Sequence, residues 1–370
     1  MKTICFYLPQ YHPNKENDEW WGPGFTDWNK VASCRPRYRG HHQPHIPADL
    51  GFYDLRMEET RVAQANLARN YGIYGFCYYH YWFNGKILLD RPLDEVIESG
   101  NPDFPFCLCW ANDDWTRAWD SNKQQILISQ EYSEKDNYEH ITWLLKAFND
   151  IRYIKINGRP LFLIFNPDII PNCKFLIEMW RKAVRQNDFP NIYLCAVKNN
   201  YTIKTDEEFL SQGFDAIVGF QPNRNYFPSP TNLKSWLYNV ALKTMPDNLY
   251  QAIKIRVSAN KLINYKNLVQ KMIAEEHPIS YREFPCVFPS WDNSARRKSA
   301  VIIQNRDPLM YEKWLADSIK KVGIYPEPER IVFINAWNEW AEGCHLEPDL
   351  LNQHRFLQAT LNAIAFSVDN

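Results

Sequence analysis

The sequence has 370 residues, and its 42 Lys and Arg nearly balance its 43 Asp and Glu, which gives a net charge of −1. This balance argues against a nucleic-acid-binding surface, which requires an excess or a patch of basic residues. The length suits two or three domains, although a single α/β barrel also often exceeds about 250 residues. Aromatic residues make up 15% of the chain, with 14 Trp, 21 Tyr and 21 Phe. This is more than a core needs, and it indicates a surface that stacks on flat or sugar-like faces.

The beginning of the chain, MKTICFYLPQYHP, has an apolar run from Ile4 to Leu8 that is too short for the core of a signal peptide. No stretch approaches the roughly 18 apolar residues of a membrane-spanning helix. The cysteines number nine, and most lie inside apolar, strand-like runs, where a thiol behaves as a small hydrophobic group. We therefore expect a chain without a membrane span that works in a reducing cytoplasm.

Eight short apolar runs, almost free of charge, predict parallel strands that are covered on both faces. These runs are Thr3–Leu8, Gly75–Tyr79, Pro105–Trp110, Leu161–Phe165, Tyr193–Val197, Ala216–Phe220, Cys286–Pro289 and Ile331–Ala336. Helical patterns lie between them, at Asp54–Asn70, Pro92–Glu98, Asn137–Phe148, Phe175–Gln186, Asp206–Ser211, Lys313–Val322 and Asn352–Ala365.

This alternation of strands and helices predicts an α/β fold, a (β/α)8 TIM barrel. A doubly wound open sheet is the alternative, but neither GxGxxG nor GxxxxGK[ST] follows the first strand. Since no repeat or flexible linker interrupts the pattern, we interpret residues 1–370 as a single domain. The extra length lies in βα loop 1, Tyr11–Leu50, and in βα loop 6, roughly Pro222–Pro285. Both loops open on the face where barrel enzymes have their active sites.

The last predicted strand ends in a dense polar segment, Asn-Glu-Trp-Ala-Glu-Gly, in which Glu339 and Glu342 are the candidate catalytic residues. In a helical turn two side chains three residues apart share a face, with Cβ atoms about 5–6 Å apart. Two such carboxyl groups cannot both ionise freely, so they can divide into the acid and the base that cleave a glycosidic bond. The plain alternative is a helix N-terminus that favours acidic residues. That alternative does not explain why Trp340, His345 and Glu347 crowd the same turn.

Polar and aromatic residues follow at least five of the predicted strands, at the mouth of the predicted barrel. Asn and Asp can bind sugar hydroxyls, and Trp can cover the C–H face of a pyranose ring. The alternative for each segment is a capped loop over a small buried aromatic cluster. The convergence of many such residues favours a ligand site. The candidate substrate-binding residues are Gln10, Tyr11, His12, Tyr79, Tyr81, Trp82, Trp110, Asn112, Asp113, Trp115, Gln221, Trp291, Asp292, Asn338, Trp340, His345 and Glu347.

Other chemistries have weaker support. The spacing His41-His42-x-x-His45 is compatible with a metal site, but no carboxylate flanks it, so we expect no metal and interpret these histidines as hydrogen-bonding groups. A Ser-His-Asp triad lacks its G-x-S-x-G elbow. No segment of the sequence requires a cofactor.

Seven segments are distinctive in combination: FYLPQYHP, NDEWWGPGFTDWNKV, HHQPHIPADLGFYDLR, YGIYGFCYYHYWFNGK, FPFCLCWANDDWTR, RPLFLIF and AWNEWAEGCHLEP. Together they resemble the WbsX family, which is described as glycoside hydrolase family 99-like and whose members are often called polysaccharide-biosynthesis glycosyltransferases. The resemblance covers nearly the whole chain. It implies a (β/α)8 barrel, in agreement with the independent strand count.

The resemblance to family 99 itself is strongest at Asn338-Glu339-Trp340-Ala341-Glu342-Gly343. By that resemblance Glu339 would deprotonate the sugar 2-OH, which then attacks C1 as an internal nucleophile. Glu342 would be the general acid for the leaving oxygen and then the base for the incoming acceptor. The N-terminal half departs from family 99, so a preference for α-mannosides is not carried over.

Three functions remain open at this stage. The first is a retaining glycoside hydrolase or transglycosylase that acts on an α-linked glycan, in the manner of an endo-α-mannosidase. The second is a glycosyltransferase of O-antigen or capsular polysaccharide biosynthesis, and the third is a non-catalytic glycan-binding barrel. A glycan or oligosaccharide is the expected partner in each case, and the oligomeric state stays open.

Overall fold

A computed structural model of the chain describes residues 1–116, 125–227, 260–275 and 280–366. A closed barrel of eight parallel strands lies at its centre. These strands, β1–β8 in chain order, are Lys2–Tyr7, Gly75–Phe83, Phe106–Trp110, Arg159–Ile164, Tyr193–Lys198, Ala216–Gly219, Glu283–Val287 and Ile331–Ile334. Each strand pairs in parallel with the next, and β8 pairs with β1 to close the barrel. The predicted strands and the predicted (β/α)8 barrel are confirmed.

The described residues also form ten helices of at least seven residues. These helices, α1–α10, are Lys15–Trp21, Asp27–Ser33, Glu58–Asn70, Arg91–Ser99, Glu134–Phe148, Cys173–Arg185, Asp206–Gln212, Tyr265–Ala274, Pro308–Val322 and Arg355–Phe366. The first two belong to the loop 1 insertion. Each of the other eight follows one barrel strand, so every βα unit is complete.

Short strands decorate the loops at the ends of the barrel. Lys261–Asn264, Val301–Gln304 and Trp291–Asp292 form a separate three-stranded sheet. The remaining short strands are Lys86–Leu88, Trp115–Thr116, Ile126–Ile128, Lys155–Ile156, Asn338–Glu339 and Cys344–His345.

The barrel strands are buried on both faces, as their uninterrupted apolar sequences predict. All five residues of β3, FCLCW, are buried, and so are all four residues of β8, IVFI. The nine cysteines are buried and unbridged. This confirms that the strand cysteines act as small hydrophobic side chains.

Three helices differ from the sequence prediction by four residues or more. Helix α9 begins at Pro308, five residues earlier than predicted, because the Asp307 carboxylate accepts a hydrogen bond from the Leu309 amide at 2.9 Å and caps the first turn. Helix α3 begins at Glu58, four residues later than predicted, because the Asp54 carboxylate accepts a hydrogen bond from the Arg56 amide at 2.9 Å and forms a local turn instead. Helix α8 lies in loop 6, where we predicted only a long loop. Its buried residues follow helical spacing, at Tyr265, Leu268, Val269 and Met272. Residues 228–259 and 276–279 of that predicted loop lie outside the described residues.

In the part of the chain that the structure describes, none of the helices combines the length and the apolar character needed to cross a bilayer.

Candidate active site

The residues after β8 form a short hairpin that carries both candidate catalytic glutamates. Asn338–Glu339 pairs in antiparallel with Cys344–His345, and a turn of 3-10 helix, Trp340–Glu342, joins them. Gly343 follows this turn with φ +58°, a conformation that glycine adopts without steric cost. A Cβ atom at Gly343 would lie 3.0 Å from the backbone and Cβ of Asp292. The hairpin is therefore packed tightly against the loop that follows β7.

Asn338 ties this hairpin to the residue that follows β1. Its Oδ1 accepts a hydrogen bond from the Leu8 amide at 2.7 Å, and its Nδ2 donates to the Leu8 carbonyl at 3.0 Å. The Tyr11 hydroxyl accepts a hydrogen bond from the Trp340 amide at 3.0 Å. Asn338 and Tyr11, which we predicted to bind substrate, are buried here. They support the backbone on which the glutamates sit.

Glu347 lies beneath the hairpin, where its buried side chain accepts three hydrogen bonds. Its Oε2 accepts from Trp340 Nε1 at 2.6 Å and from the Tyr53 hydroxyl at 2.8 Å, and its Oε1 accepts from Gln64 Nε2 at 2.6 Å. Burial raises the pKa of Glu347 to about 7, although these hydrogen bonds oppose the shift. The Trp340 ring also stacks on His345, with ring centroids 3.7 Å apart. Trp340, His345 and Glu347 thus form an internal support instead of the predicted sugar-binding surface.

A buried guanidinium bridges the two candidate catalytic groups. Arg296, from the loop after β7, places Nη2 2.9 Å from Glu339 Oε1 and Nη1 3.6 Å from Glu342 Oε1. The same Nη2 donates to Asp27 Oδ2. Since Asp27 is the first residue of α2, the loop 1 insertion contributes a third carboxylate to this group.

Burial is the main influence on the protonation of Glu339. It raises the pKa of Glu339 to about 8; Arg296 opposes this shift, whereas Glu342 and Asp27 add to it. Burial lowers the pKa of Arg296, but the three carboxylates outweigh it and hold that pKa above its ordinary value. Glu342 is more open, with 21% of its side chain exposed against 9% for Glu339. The pair therefore combines one buried and one partly exposed carboxyl group next to a cation.

A cleft opens at Glu339, at the C-terminal ends of the barrel strands, and Glu342 is not among the residues that line it. Its inner part, of about 210 Å³, reaches Glu339 and Arg296, and its wider outer part has about 540 Å³. Both parts share four lining residues, so they form one continuous groove: Gln10, Tyr81, Asp113 and Trp115. The other lining residues are Leu8, Tyr79, Ala111 and Phe165 in the inner part, and Trp21, Asp114, Thr116, Leu127, Asn166, Tyr201 and Arg297 in the outer part.

Six of the predicted site residues line this cleft: Gln10, Tyr79, Tyr81, Asp113, Trp115 and Glu339. The Asp113 carboxylate accepts a hydrogen bond from Asn166 Nδ2 at 2.7 Å. Burial raises the pKa of Asp113, and the bond from Asn166 partly opposes this effect. The cleft therefore presents aromatic faces beside amide and carboxyl groups, which is the combination that binds sugar rings and their hydroxyls.

The alternation of side chains along a strand explains why two predicted tryptophans lie elsewhere. Ala111 lines the cleft, whereas the preceding Trp110 points outward and packs against α5 and α6. In β2, Tyr79 and Tyr81 reach the cleft, while Trp82 points outward and donates a hydrogen bond to α5. Our prediction that Trp110 and Trp82 form a sugar platform is not supported, because both are buried between the barrel and its helices.

Three further predicted residues are buried in polar networks around the cleft. His12 is 2% exposed, and burial lowers its pKa to about 4. The Asn112 side chain donates to the Asn166 carbonyl and accepts from the Asn166 amide, both at 2.8 Å. Gln221 Oε1 accepts from the Asn223 amide at 2.7 Å. These side chains lie in the loops around the cleft, and none of the three lines it.

Trp291 and Asp292 line a separate cavity of about 110 Å³, between the loop 1 insertion and the loop after β7. Asp292 Oδ2 lies 2.6 Å from His41 Nε2 and accepts a hydrogen bond from Gln43 Nε2 at 2.7 Å. Asp292 thereby anchors the insertion to the hairpin that carries the two candidate glutamates. The structure does not bring Trp291 and Asp292 into the main cleft.

The histidine-rich segment of the insertion contacts the loop after β8. His45 Nδ1 lies 2.9 Å from His345 Nε2, and Asp349 Oδ2 lies 3.8 Å from that same nitrogen. These atoms are close enough together to bind a metal ion, yet Arg306 Nη2 lies 2.9 Å from Asp349 Oδ2 and already supplies a positive charge. His345 Nδ1 is also hydrogen-bonded to the Glu347 carbonyl at 2.8 Å. We therefore interpret this group as a hydrogen-bonded network.

Sequence reasoning did not select Asp27 and Arg296 as site residues. They are 269 residues apart, and neither belongs to a local pattern that suggests the other. Asn166 was also missed, although a polar residue two positions after β4 was the available indication. Trp21 of the outer cleft belongs to the aromatic segment NDEWWGPG, which was a signal, whereas Arg297 had no comparable signal in the sequence.

The chain matches one protein family and two curated relatives. The profile of the family described as Glycosyltransferase WbsX matches residues 3–360. Two proteins named uncharacterized protein WxcX, from Xanthomonas campestris pv. campestris strains ATCC 33913 and B100, are each 38% identical to it over 369 residues. These matches cover 99% of this chain and 50% of each relative. The chain therefore spans about half the length of the curated relatives it matches.

Three solved structures are similar in fold. The GH99 endo-alpha-mannosidase from Bacteroides thetaiotaomicron in complex with BIS-TRIS-propane has a TM-score of 0.59 and 14% identity, covering 100% of this chain and 97% of its own. Another structure of that enzyme has a TM-score of 0.58 and 13% identity, with 99% and 97% covered. A glycoside hydrolase-like protein has a TM-score of 0.59 and 13% identity, with 98% and 93% covered. At these identities the similarity establishes the shared barrel fold.

Proposed function

Because this chain belongs to the WbsX glycosyltransferase family, we propose that it is a carbohydrate-active enzyme of the retaining glycoside hydrolase or transglycosylase type that acts on an α-linked glycan. The observation that carries this proposal is the pair of Glu339 and Glu342, joined by Arg296, in which Glu339 and Arg296 lie at the end of a cleft lined with aromatic, amide and carboxyl groups. The family and the fold support carbohydrate chemistry in general. The choice of reaction rests on this site.

The proposed reaction has two steps, with the roles that the resemblance to family 99 assigns. Glu339, as carboxylate, takes the proton of the sugar 2-OH, and the resulting oxygen attacks C1 on the same ring. The glycosidic C1–O bond breaks, and Glu342 donates its proton to the leaving oxygen. In the second step Glu342 takes a proton from water or an acceptor hydroxyl, which attacks C1. The C1–O2 bond opens, O2 recovers its proton from Glu339, and two inversions give net retention.

This scheme requires Glu339 to be ionised in the enzyme that meets its substrate. Burial works against that state, and Arg296 is the neighbour that works for it. The greater exposure of Glu342 suits a group that exchanges protons with an incoming water molecule. The buried position of Glu339 suits a group that acts only on the bound sugar ring.

A glycosyltransferase is the second candidate, and the family's own description favours it. An enzyme that uses a nucleotide-sugar must bind a diphosphate, for which Arg, Lys or a metal ion commonly serves. Among the described residues of the cleft, Asp113, Asp114 and Glu339 are acidic, and Arg296 and Arg297 are basic. Three carboxylates, those of Asp27, Glu339 and Glu342, surround Arg296 and draw on its charge. This distribution favours a neutral glycan over a diphosphate donor.

A substrate screen tests the proposal directly. The protein is incubated with oligosaccharides of different α-linkages and, separately, with nucleotide-sugars and acceptor glycans, and the products are identified by mass spectrometry. Shortened glycans, or glycans extended without a nucleotide-sugar, support the proposal, and NMR of the first product should show the α-anomer. Consumption of a nucleotide-sugar would select the glycosyltransferase instead. Binding without any product would leave a glycan-binding barrel.

The two glutamates are tested by isosteric substitution. Glu339→Gln and Glu342→Gln should each lower kcat by about two to four orders of magnitude, the range for loss of a general acid or base, while the unfolding midpoint stays close to that of the wild type. On a substrate with an activated aryl leaving group, the loss for Glu342→Gln should shrink, because that group needs no proton. Glu329→Gln, at the N-terminal end of β8, is the matched control and should keep full activity. Near wild-type turnover by either active-site variant would refute the mechanism.

A further inference from the structure

The loop 1 insertion reaches the catalytic pair through one carboxylate. Asp27 has no exposed side-chain surface and contacts Arg296. With its amide oriented so that Nε2 faces Asp27, Gln10 donates to both carboxylate oxygens, at 3.1 and 3.3 Å. The next residue of α2, Trp28, packs on Trp340 of the hairpin turn, with ring centroids 5.7 Å apart. Asp27 is therefore held in place on several sides, directly behind the guanidinium.

Three carboxylates share this one guanidinium. Asp27 and Glu339 both face Nη2, and Glu342 faces Nη1. Arginine can do this because its planar, always charged fork offers several donors, whereas lysine offers a single point charge. Charges a few ångströms apart interact strongly in a site from which water is excluded, because the effective dielectric constant there is low. The ionisation of Glu339 must therefore respond to changes in either Arg296 or Asp27.

We infer that Arg296 and Asp27 are positioning residues for the proposed reaction: Arg296 favours the ionised form of Glu339, the base beside Glu342, and Asp27 limits this effect by sharing the guanidinium. The inference rests on the proposed function and deepens it, because it gives the loop 1 insertion a part in the chemistry. The part inferred for both residues is their effect on Glu339, and Asp27 does not line the cleft.

The other titratable groups around Glu339 do not carry charge near neutral pH. Burial raises the pKa of each of them above its ordinary value, so they stay protonated: Tyr11 after β1, Tyr79 and Tyr81 on β2, and Cys344 on the opposite arm of the hairpin. Among the described residues that face Glu339, Arg296 lowers its pKa, and Asp27 and Glu342 raise it. Substitution of the first two therefore acts directly on the base.

The test is the pH dependence of kcat/KM on a neutral glycan, because its acid limb reports ionisation of the base in the free enzyme. Arg296→Gln removes the charge that lowers the pKa of Glu339. The acid limb should move to higher pH by roughly 1–3 units, the range for an opposite charge within 4–6 Å. Asp27→Asn removes a charge that raises the pKa of Glu339, so the limb should move to lower pH. The two variants thus shift the profile in opposite directions.

Two further variants separate this role from a structural one. Arg296→Lys keeps the charge and should shift the acid limb less than Arg296→Gln does. Arg159→Gln breaks an ion pair with Asp215, 2.8 Å long, at the N-terminal end of β4, and should lower stability without moving the limb. A uniform loss of kcat/KM at every pH for Arg296→Gln, or shifts in the same direction for Arg296→Gln and Asp27→Asn, would overturn the inference.

A direct titration of Glu339 needs no turnover. NMR of ¹³C-labelled glutamate carboxyl groups, assigned with Glu339→Gln, should give midpoints that rise from Asp27→Asn to the wild type to Arg296→Gln. If the midpoints follow this order but no glycan is turned over, Arg296 and Asp27 do set the ionisation of Glu339, and the proposed function is refuted. Turnover with unchanged midpoints would overturn the inference and leave the proposed function standing.

Discussion

Gly343 is the position where one added carbon atom should disturb the catalytic hairpin most. It has φ +58°, and a Cβ atom there would lie 3.0 Å from the Cβ, the amide nitrogen and the carbonyl oxygen of Asp292. An alanine in the left-handed region costs about 1–2 kcal/mol. Overpacking against fixed atoms adds about 1–3 kcal/mol. We expect Gly343→Ala to lower the free energy of unfolding by about 2–5 kcal/mol.

Gly100 provides a matched control for the two contributions. It caps α4 with φ +74°, and no heavy atom lies within 4 Å of the position its Cβ would take. Gly100→Ala should therefore lose only the conformational part, about 1–2 kcal/mol. The difference between the two variants measures the contact with Asp292.

Urea unfolding with linear extrapolation gives both free energies, and the slope m shows whether the comparison stays two-state. Activity gives a second readout. If the hairpin relieves the contact by moving about 1 Å, Glu339 and Glu342 move with it, and kcat should fall by about 10²-fold. Gly100→Ala should keep its activity. Equal losses of stability in the two variants, or full activity in Gly343→Ala, would refute this reasoning.

Two other outcomes separate cleft residues from their support. Trp115→Ala should weaken glycan affinity by about two- to tenfold in calorimetry, because one aromatic contact is lost. Trp110→Ala should instead lower the free energy of unfolding by about 3–5 kcal/mol and leave the glycan affinity of the folded protein unchanged. Weakened affinity in Trp110→Ala would place that indole in the site. Glu347 has a folded pKa of about 7 against about 4.3 for a free side chain, so the folded state holds its proton more tightly. Its contribution to stability is then largest below about pH 4, falls by at most about 4 kcal/mol as pH rises to 7, and stays constant above. Glu347→Gln should flatten that slope in urea unfolding at several pH values; an unchanged slope would show that Glu347 does not titrate in this range.

The barrel was predictable because its strands are buried on both faces. A strand such as β8, IVFI, can contain almost nothing but apolar residues, and such runs stand out in any sequence. Helix α8 was harder to find because its buried residues occupy one face only and it lies in the middle of a long insertion. The start of α3 was misplaced because Asp54 competes locally for a backbone amide.

The candidate site was predictable only in part. Residues that follow a strand are local features, so Glu339, Tyr81 and Asp113 could be found from position alone. Neighbouring residues such as Trp110 are of equally suitable types for binding sugar. Only the alternation of side chains along the strand shows that they point away from the cleft. The contact between Asp27 and Arg296 depends on how the insertion folds back over the barrel. No short sequence motif indicates how the insertion folds over the barrel.

The hydrogen bonds between Asn338 and Leu8 join residues that are 330 positions apart. The hydrogen bonds that hold the hairpin of Glu339 and Glu342 therefore cannot form until the first and last barrel strands have paired. During synthesis the candidate catalytic groups emerge after all eight barrel strands have been made, and long-range contacts of this kind form slowly. Activity should consequently appear only when the barrel closes, so that a partly folded chain would be inactive and not merely less active.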